Sequence, residues 1–323
     1  MAAPAPGRAL VLGGGGHAGA AFARALLARG WQVAAAARTP GRRAALEGLD
    51  AERLTGDAAD AATLARWCAG RDLVVDAAAP YPLRPGGADA SPAAAARRTE
   101  ALIGAVRAAG AQLIHVGSFV TLRRGGARAR LVRAAHPYFA VKEAMEASLI
   151  AAARGGLRAT LLNPAALIGP WDCKPSELCF VDAVLSGALR AAPPDPVAVI
   201  DVRDAAEAGL RAWEAGFWGV RTPLVGHAPS VAELAARIAR AGGVSPPSAA
   251  PPLAPGAAAL RWSEAALALF GAKSPWPSLP ALLTLAGAGM APLAGRIALG
   301  PAPRPLEDSV RDAVAWRRAA GFV

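Results

Sequence analysis

Cysteine, lysine and tyrosine are scarce in this sequence, and their scarcity limits what the protein can be. The 323 residues include three cysteines, two tyrosines and three lysines. The cysteines are odd in number and widely spaced, which excludes a disulfide framework and a zinc pattern and favours a reducing, cytoplasmic location. No histidines or carboxylates have metal-ligand spacing, so we predict no metal site. The cysteines are Cys68, Cys173 and Cys179.

The sequence pattern also lacks a targeting segment and a clear membrane span. The opening MAAPAPGR has no charged start followed by a long apolar core, so we predict no signal peptide. The most apolar stretch, from Leu279 to Gly295, is uncharged but rich in Ala and Gly, and it is short for a span. We predict a buried helix or an apolar lid over a substrate there, and a membrane-surface contact is the less favoured alternative.

A concentrated basic patch is the third missing feature. The net charge is +11, an excess often found in proteins that bind nucleic acids. Here only 18% of the residues are charged, and the arginines are spread along the chain without interleaved aromatic residues. With 54% hydrophobic residues the chain is predicted to be globular. We therefore expect a small-molecule substrate and no nucleic-acid partner.

Short apolar runs alternate with longer helical patterns in the first half of the chain, as in βαβ units. The runs are almost continuously apolar, which is typical of parallel strands covered on both faces. The predicted fold is α/β, with a doubly wound parallel sheet. Strands are predicted at 9–13, 32–38, 72–78, 112–117, 158–163, 197–201 and 219–226, and helices at 17–29, 60–69, 92–109, 137–153, 203–215, 230–240 and over most of the tail from Ser263.

Four consecutive glycines begin the stretch GGGGHAG at residues 13–19, between a predicted strand and a predicted helix. They fit GxxGxxG at Gly13, Gly16 and Gly19, and equally GxGxxG from Gly14. Small residues there permit a tight turn, a close backbone approach to a pyrophosphate and close helix–strand packing. The helix N-terminus adds free N–H groups. The pattern predicts a dinucleotide site, and the alternative is a glycine-rich loop without a ligand.

Arg38 ends the second predicted strand, nineteen residues after Gly19. Proteins that bind NAD usually place an acidic residue there, whereas an arginine suits the 2′-phosphate of NADP. Arg42 and Arg43 follow within one turn and can reinforce that contact. We predict that NADP(H) is preferred over NAD(H), and the alternative is that these are ordinary exposed arginines.

Tyr138 and Lys142 are four residues apart in a predicted helix. With so few tyrosines and lysines, a chance pair at that spacing has an expected count of about 0.02. Positions i and i+4 share a helix face, so the Lys142 ammonium can lie near the Tyr138 phenol and lower its pKa toward working pH. Tyr138 is therefore a candidate general acid or base. The alternative is a core tyrosine beside an exposed lysine.

Ser118 follows a predicted strand, upstream of the Tyr138–Lys142 pair. A serine at the carboxyl edge of a parallel sheet stands where ligands of α/β proteins bind. Its hydroxyl can hydrogen-bond a substrate carbonyl oxygen, and taken alone it would more often be a helix-capping serine. Beside the Tyr138–Lys142 pair we interpret it as catalytic.

The chain resembles the extended short-chain dehydrogenase/reductases. Ser118, Tyr138 and Lys142 match the catalytic trio of that superfamily in order and spacing, and the glycines match its glycine motif. The most similar groups are the dihydroflavonol-4-reductase-like reductases and the related nucleotide-sugar epimerases. The resemblance implies hydride transfer at nicotinamide C4. Tyr138 would move a proton to or from the substrate oxygen, Lys142 would hold the ribose hydroxyls, and Ser118 would orient the oxygen.

Further segments carry the same resemblance. Asp57 resembles the aspartate that contacts the adenine, and Asn163–Pro164 the segment that passes the nicotinamide. His17 is a departure, because the family usually has a bulky apolar residue there; it can reach a phosphate or cap the helix. The small residues that would lie beside the cofactor ribose, without the His or Thr often found there, are Ala77, Ala78 and Ala79.

The resemblance also implies two lobes and several possible functions. Residues 1–164 plus 197–218 would form the Rossmann-type NAD(P)-binding domain, and 165–196 plus 219–323 a smaller, discontinuous substrate-binding lobe, with the active site between them. The predicted function is an NAD(P)-dependent reductase or dehydrogenase acting on a bulky, fairly apolar ketone or alcohol. The alternatives are a nucleotide-sugar epimerase or dehydratase with tightly bound NAD, and a non-catalytic NADP-sensing protein. A homodimer is the family expectation.

Overall fold

A computed structural model describes residues 5–38, 44–78, 91–122, 137–253, 288–295 and 300–323. Its main sheet has seven strands: β1 (Arg8–Leu12), β2 (Gln32–Ala37), β3 (Glu52–Thr55), β4 (Leu73–Asp76), β5 (Gln112–Val116), β6 (Ala159–Pro164) and β10 (Arg221–Leu224). All pair in parallel, in the order β10-β6-β5-β4-β1-β2-β3. The order reverses beside β1, where doubly wound sheets bind ligands. The predicted fold class is confirmed.

Helices cover both faces of the main sheet, which explains why its inner strands are continuously apolar. Alternate residues of β1 face opposite ways: Ala9 and Val11 join one core, and Leu10 and Leu12 the other. On the first face α1 packs against α6, and on the second α3 packs against α2 and α4. These helices are α1 (His17–Leu27), α2 (Ala61–Cys68), α3 (Pro92–Ala108), α4 (Pro137–Arg154) and α6 (Val202–Glu214).

Outside the main sheet, the described residues form a second group of elements, called the second lobe below, with two small parallel pairs of strands and three helices. Strand β7 (Ala166–Ile168) pairs with β9 (Val199–Asp201), and β8 (Ala191–Ala192) pairs with β11 (Ser248–Ala249). A third apolar core joins α5 (Phe180–Leu185), α7 (Val231–Gly242) and α8 (Leu306–Ala319). The capping box of Ser230 and Glu233 starts α7, and Gly243, with φ +66°, ends it.

The predicted elements that fall on described residues, other than the tail, have ends within two residues of the observed ones. The lobe boundaries stay a prediction, but two strands have pairing partners that the sequence analysis does not predict. Residues 219–226 were predicted in the substrate lobe, but β10 pairs with β6 at the edge of the main sheet. Residues 197–201 were predicted with the NAD(P)-binding domain, but β9 pairs with β7 in a small sheet. In both cases backbone pairing, which the apolar pattern does not encode, decides the neighbour.

The apolar stretch Leu279–Gly295 is described only from residue 288. Residues Ala288–Leu293 form a short 3-10 helix, in which Met290 and Leu293 are buried in the core that holds α1 and α6. The Gly295 N–H donates to the carbonyls of Val225 and Gly226. In the described ranges, no helix is long and apolar enough to cross a membrane.

Candidate active site

The glycine turn between β1 and α1 is tightly packed at its ends and open in its middle. Gly13 has φ +75°, and a Cβ there would lie 2.6 Å from the Ala77 carbonyl oxygen. A Cβ on Gly19 would overlap the Gly13 carbonyl oxygen. Around Gly16 the nearest atom to such a Cβ is that same oxygen, at 3.2 Å. Gly13 and Gly19 therefore hold the turn against the sheet, while Gly16 leaves its outer face free for close approach by a ligand.

The N-terminus of α1 offers unused hydrogen-bond donors beside Gly16. The first hydrogen bond of the helix runs from the Ala20 N–H to the Gly16 carbonyl, and no side chain of the described residues caps the helix. The N–H groups of the first turn and the positive end of the helix dipole therefore face the open side of the turn. This arrangement fits an anionic group such as a dinucleotide pyrophosphate.

The residues predicted to contact the adenine and the 2′-phosphate of the cofactor lie just after β2 and β3. Because Ala37 pairs with Thr55, the following residues Arg38 and Asp57 lie at the same edge. Both are exposed, and Arg38 makes no ion pair within the described ranges. Asp57 accepts a hydrogen bond from the Ala59 N–H at 2.9 Å. Ala77 and Ala78 follow β4 beside the glycine turn, whereas Arg42 and Ala79 lie outside the described residues.

Tyr138 and Lys142 lie one turn apart on the buried face of α4. The Lys142 Nζ is 5.9 Å from the centre of the Tyr138 ring. Burial lowers the pKa of Lys142 to about 8, against the opposing effect of the nearby Asp76 and Glu146 carboxylates. Lys142 is thus buried, close to Tyr138 and still mostly protonated near neutral pH, which excludes the alternative of an exposed lysine.

Ser118 lies at the carboxyl end of β5 and is buried. The short turn that follows it, Phe119–Thr121, packs against α4 and shares an apolar core with Tyr138. The structure therefore brings the strand end that carries Ser118 to the helix that carries Tyr138 and Lys142. Asn163 and Pro164, also buried, end the neighbouring strand β6. A nicotinamide dinucleotide fits this set of residues, of which the first turn of α1 would hold its phosphates and Ser118, Tyr138 and Lys142 would serve its reactive ring.

Comparison with known proteins leads to the same family. The sequence profile of an NAD(P)H-binding family matches residues 13–173. Sterol demethylase protein B of Methylococcus capsulatus is 30% identical over 97% of this chain and 99% of its own length. The chain belongs to the extended short-chain dehydrogenase/reductase superfamily.

Solved structures share the fold of this chain. The crystal structure of gox2253 has a TM-score of 0.77 at 25% identity, over 99% of this chain and 100% of that one. A nucleoside-diphosphate-sugar epimerase from Pseudomonas aeruginosa has a TM-score of 0.71 at 23% identity, over 99% of both chains. These solved structures share the fold of this chain, and the NAD(P)H-binding profile supports a nicotinamide cofactor.

A buried polar network that the sequence analysis did not identify holds Ser118. The Asn163 Nδ2 donates to the Ser118 carbonyl at 3.2 Å, the Thr121 Oγ1 at 2.8 Å and the Glu146 Oε1 at 2.7 Å. The Arg221 Nε, from β10, donates to the Glu146 Oε2 at 2.6 Å. The sequence contained a signal for this network: Glu146 follows Lys142 at the same four-residue spacing that separates Lys142 from Tyr138, so all three share one helix face.

A second missed cluster lies between the glycine turn and Lys142. Asp76, at the end of β4, accepts two hydrogen bonds of 2.6 Å from the Arg98 guanidinium on α3. The His115 Nδ1 lies 3.0 Å from the same carboxylate. Burial would raise the pKa of Asp76, but Arg98 and His115 outweigh it and hold that pKa well below its usual range. The sequence signal for this cluster was Asp76 itself, an acidic residue at the end of an apolar strand.

A sugar-nucleotide diphosphate is typically held by arginines, and two of the four candidates after residue 165 form close ion pairs. The candidates are Arg190, Arg211, Arg221 and Arg237. Arg221 pairs with Glu146, Arg237 with Glu307, and Arg211 lies 4.0 Å from Glu207. Arg190 is exposed. An arginine that is already paired with a carboxylate attracts the diphosphate of a sugar nucleotide less strongly.

Across the described ranges there is no group of three or more metal-ligating side chains.

Proposed function

We propose that this chain is a nicotinamide-dependent oxidoreductase that moves a hydride between the cofactor and an alcohol or carbonyl carbon of a bulky, apolar molecule. The observation that carries the proposal is the buried Tyr138–Lys142 pair on α4, with Ser118 at the adjacent strand end. Proteins that only sense a cofactor have no need of a buried lysine beside a tyrosine, and burying that charge is costly.

The chemistry of the chain is proton transfer and charge stabilisation. The bound nicotinamide supplies or accepts the hydride. In reduction, Tyr138 donates its phenolic proton to the oxygen of the substrate carbonyl, and in oxidation the phenolate removes the proton of the alcohol. The positive charge of Lys142 favours the phenolate. The Ser118 hydroxyl donates to the substrate oxygen and holds it in place.

A sterol is the substrate class that we propose. The relative named sterol demethylase protein B aligns with nearly the whole chain. The segment that enters the second lobe carries Trp171 and Phe180, the latter 36% exposed, and apolar side chains of this size suit a fused-ring substrate. The paired arginines described above favour this substrate over a sugar nucleotide.

Turnover assays separate the candidate functions. The purified chain is incubated with NADP⁺ and a sterol bearing a free 3-hydroxyl group, with NADPH and the matching 3-ketosteroid, and with UDP-glucose. Change of nicotinamide absorbance with either steroid, and none with Tyr138→Phe, supports the oxidoreductase. Conversion of UDP-glucose to UDP-galactose would instead identify an epimerase. Tight NADPH binding without turnover of any bulky alcohol or ketone would favour the sensor.

Arg38 is proposed to select NADP(H). We predict that Arg38→Ala weakens NADPH binding by about tenfold to a hundredfold, because a charge-assisted hydrogen bond to the 2′-phosphate is lost, and leaves NADH binding almost unchanged. Fluorescence titration of both cofactors measures this. The control is Arg154→Ala, an exposed arginine in the last turn of α4, at the opposite edge of the sheet. Equal loss of NADH and NADPH affinity in Arg38→Ala would contradict the prediction.

The activity of the free enzyme is predicted to depend on the protonation of Lys142. Because burial lowers the pKa of Lys142 to about 8, its charge is present below that pH and is lost above it. For NADPH-dependent reduction, kcat/KM for NADPH should fall by about tenfold per pH unit above the pKa. In Lys142→Arg the charge persists to far higher pH, so the fall should move upward although the maximum rate is lower. An unchanged profile in Lys142→Arg would contradict this assignment.

The remaining cofactor residues are proposed from their positions. The proposed phosphate site is surrounded by Gly13, Gly16, His17 and Gly19. The buried Asn163 Oδ1 has no hydrogen-bond partner among the described residues, so it can accept a hydrogen bond from the bound nicotinamide. The two-lobe boundaries, the homodimer and the cytoplasmic location stay predictions.

A further inference from the structure

His17 is an unusual residue in the phosphate-binding turn, because its ring is buried and unpaired. It is the first residue of α1, directly after Gly16, and only 9% of it is exposed. Neither ring nitrogen has a hydrogen-bond partner within the part of the chain that the structure describes. The capping position belongs to Gly16, so the predicted alternative of a helix-capping histidine is wrong. A buried polar group without a hydrogen-bond partner is unfavourable, and a ligand that supplies the partner removes this cost.

Three charged groups face the His17 ring, and their charges are already balanced. Asp172 approaches the Nδ1 to 3.8 Å, but it is paired with the Lys174 Nζ at 2.8 Å. Asp201, at the start of α6, is held by Arg203 at 2.7 Å. Burial lowers the pKa of His17 to about 4, and Lys174 acts in the same direction. The two carboxylates and the nearby Pro170 carbonyl oppose this only in part. The ring is therefore neutral at neutral pH when no ligand supplies further negative charge.

We propose that His17 binds the cofactor pyrophosphate as an imidazolium, taking up a proton when the dinucleotide binds, and that its contact with Asp172 then links the phosphate site to the second lobe. This inference rests on dinucleotide binding at the glycine turn and adds the protonation step and the link. A pyrophosphate brings two negative charges to the N-terminus of α1, where the ring is desolvated, so the charged ring becomes the favoured form.

The segment 169–174 makes the link to the second lobe. Its Trp171, in the left-handed region at φ +74°, stacks against the Arg24 guanidinium of α1 at 4.3 Å. The Arg317 side chain of α8 donates to the backbone carbonyls of Asp172 and Lys174. One short segment is thus fixed to the phosphate-binding helix on one side and to the second lobe on the other. Strengthening the contact between His17 and Asp172 on cofactor binding should stabilise this segment.

Proton uptake is the measurement that tests the proposal. NADP⁺ is titrated calorimetrically into the wild-type chain and into His17→Gln at about pH 6, in two buffers with different ionisation enthalpies. Adenosine 2′-monophosphate, which lacks the pyrophosphate, gives the contribution of the 2′-phosphate. We expect the wild type to take up roughly half to one proton per NADP⁺ beyond that reference, and His17→Gln to take up none and bind about tenfold more weakly.

The outcomes separate this proposal from the proposed function. Equal proton uptake in the wild type and His17→Gln, with NADP⁺ bound in both, would overturn the role of His17 and leave the oxidoreductase intact. Absence of NADP⁺ and NAD⁺ binding in the wild type would overturn both. Thermal melts establish that His17→Gln is folded. Hydrogen exchange of segment 169–174 is expected to slow when NADP⁺ binds to the wild type but not to Asp172→Asn, and equal slowing in both would reject the link.

Discussion

Tyr138→Phe is expected to lower the rate of hydride transfer by about 10²–10⁴-fold, while NADPH binding and thermal stability remain close to those of the wild type. The substitution removes one hydroxyl group from a buried ring. The ring keeps its edge-to-face contact with Phe139, at 6.0 Å between centres, and its place in the core. The loss therefore falls on proton transfer rather than on folding.

Single-turnover kinetics give the sharpest measurement of this effect. With NADPH and a 3-ketosteroid at saturation, the hydride-transfer rate should fall in Tyr138→Phe, and the Kd of NADPH should change by less than about twofold. Ser118→Ala is the matched comparison, because it also removes one buried hydroxyl group at the same site. Its expected loss is smaller, since the serine orients the oxygen but transfers no proton. A rate in Tyr138→Phe equal to that of the wild type would remove Tyr138 from the mechanism.

The catalytic pair could be identified from the sequence because its signal is local. Tyr138 and Lys142 share one helix, so their spacing alone places them on one face. The glycine turn is similarly local, since β1, the turn and α1 are consecutive in the chain. The inner strands could be predicted because burial on both faces makes each of them an apolar run.

Features that depend on strand pairing could not be predicted from local sequence patterns. Strand β3 has the sequence ERLT, with every residue at least partly exposed, so it carries no apolar run although it pairs with β2 at the edge of the sheet. Strand β10 was predicted, but only its pairing with β6 brings Arg221 to Glu146. Asp76, Arg98 and His115 come from three different elements, and no spacing along the chain predicts that they meet.

Breaking the Asp76–Arg98 pair is expected to have the largest effect on stability. Asp76 is fully buried, and two hydrogen bonds of 2.6 Å join it to an arginine that is itself buried. Removing the anion in Asp76→Leu leaves Arg98 charged without its partner, which typically costs about 3–5 kcal/mol. Urea unfolding followed by circular dichroism should show a lower midpoint at an unchanged m value.

The control is a carboxylate–arginine pair whose carboxylate is exposed instead of buried. Glu52 accepts a hydrogen bond from Arg71 at 2.8 Å, but its side chain is 55% exposed. Glu52→Gln is expected to cost less than about 1 kcal/mol, because water already screens the Glu52 carboxylate and the glutamine amide oxygen can still accept from Arg71. A comparable loss in Glu52→Gln and Asp76→Leu would show that burial does not decide the strength of these pairs.

The double variant Asp76→Leu with Arg98→Met separates an isolated charge from lost packing. If the cost arises from an uncompensated buried charge, the double variant should be more stable than either single variant, because neither charge of the Asp76–Arg98 pair remains to be desolvated. The pH dependence has a defined sign: the pKa of Asp76 is lowered in the fold, so its stabilisation is present above the unfolded value of about 3.9 and is lost as the pH falls below it. Additive losses in the double variant would place the effect in packing, and a midpoint that falls no more steeply in acid for the wild type than for the double variant would reject the ion pair as its source.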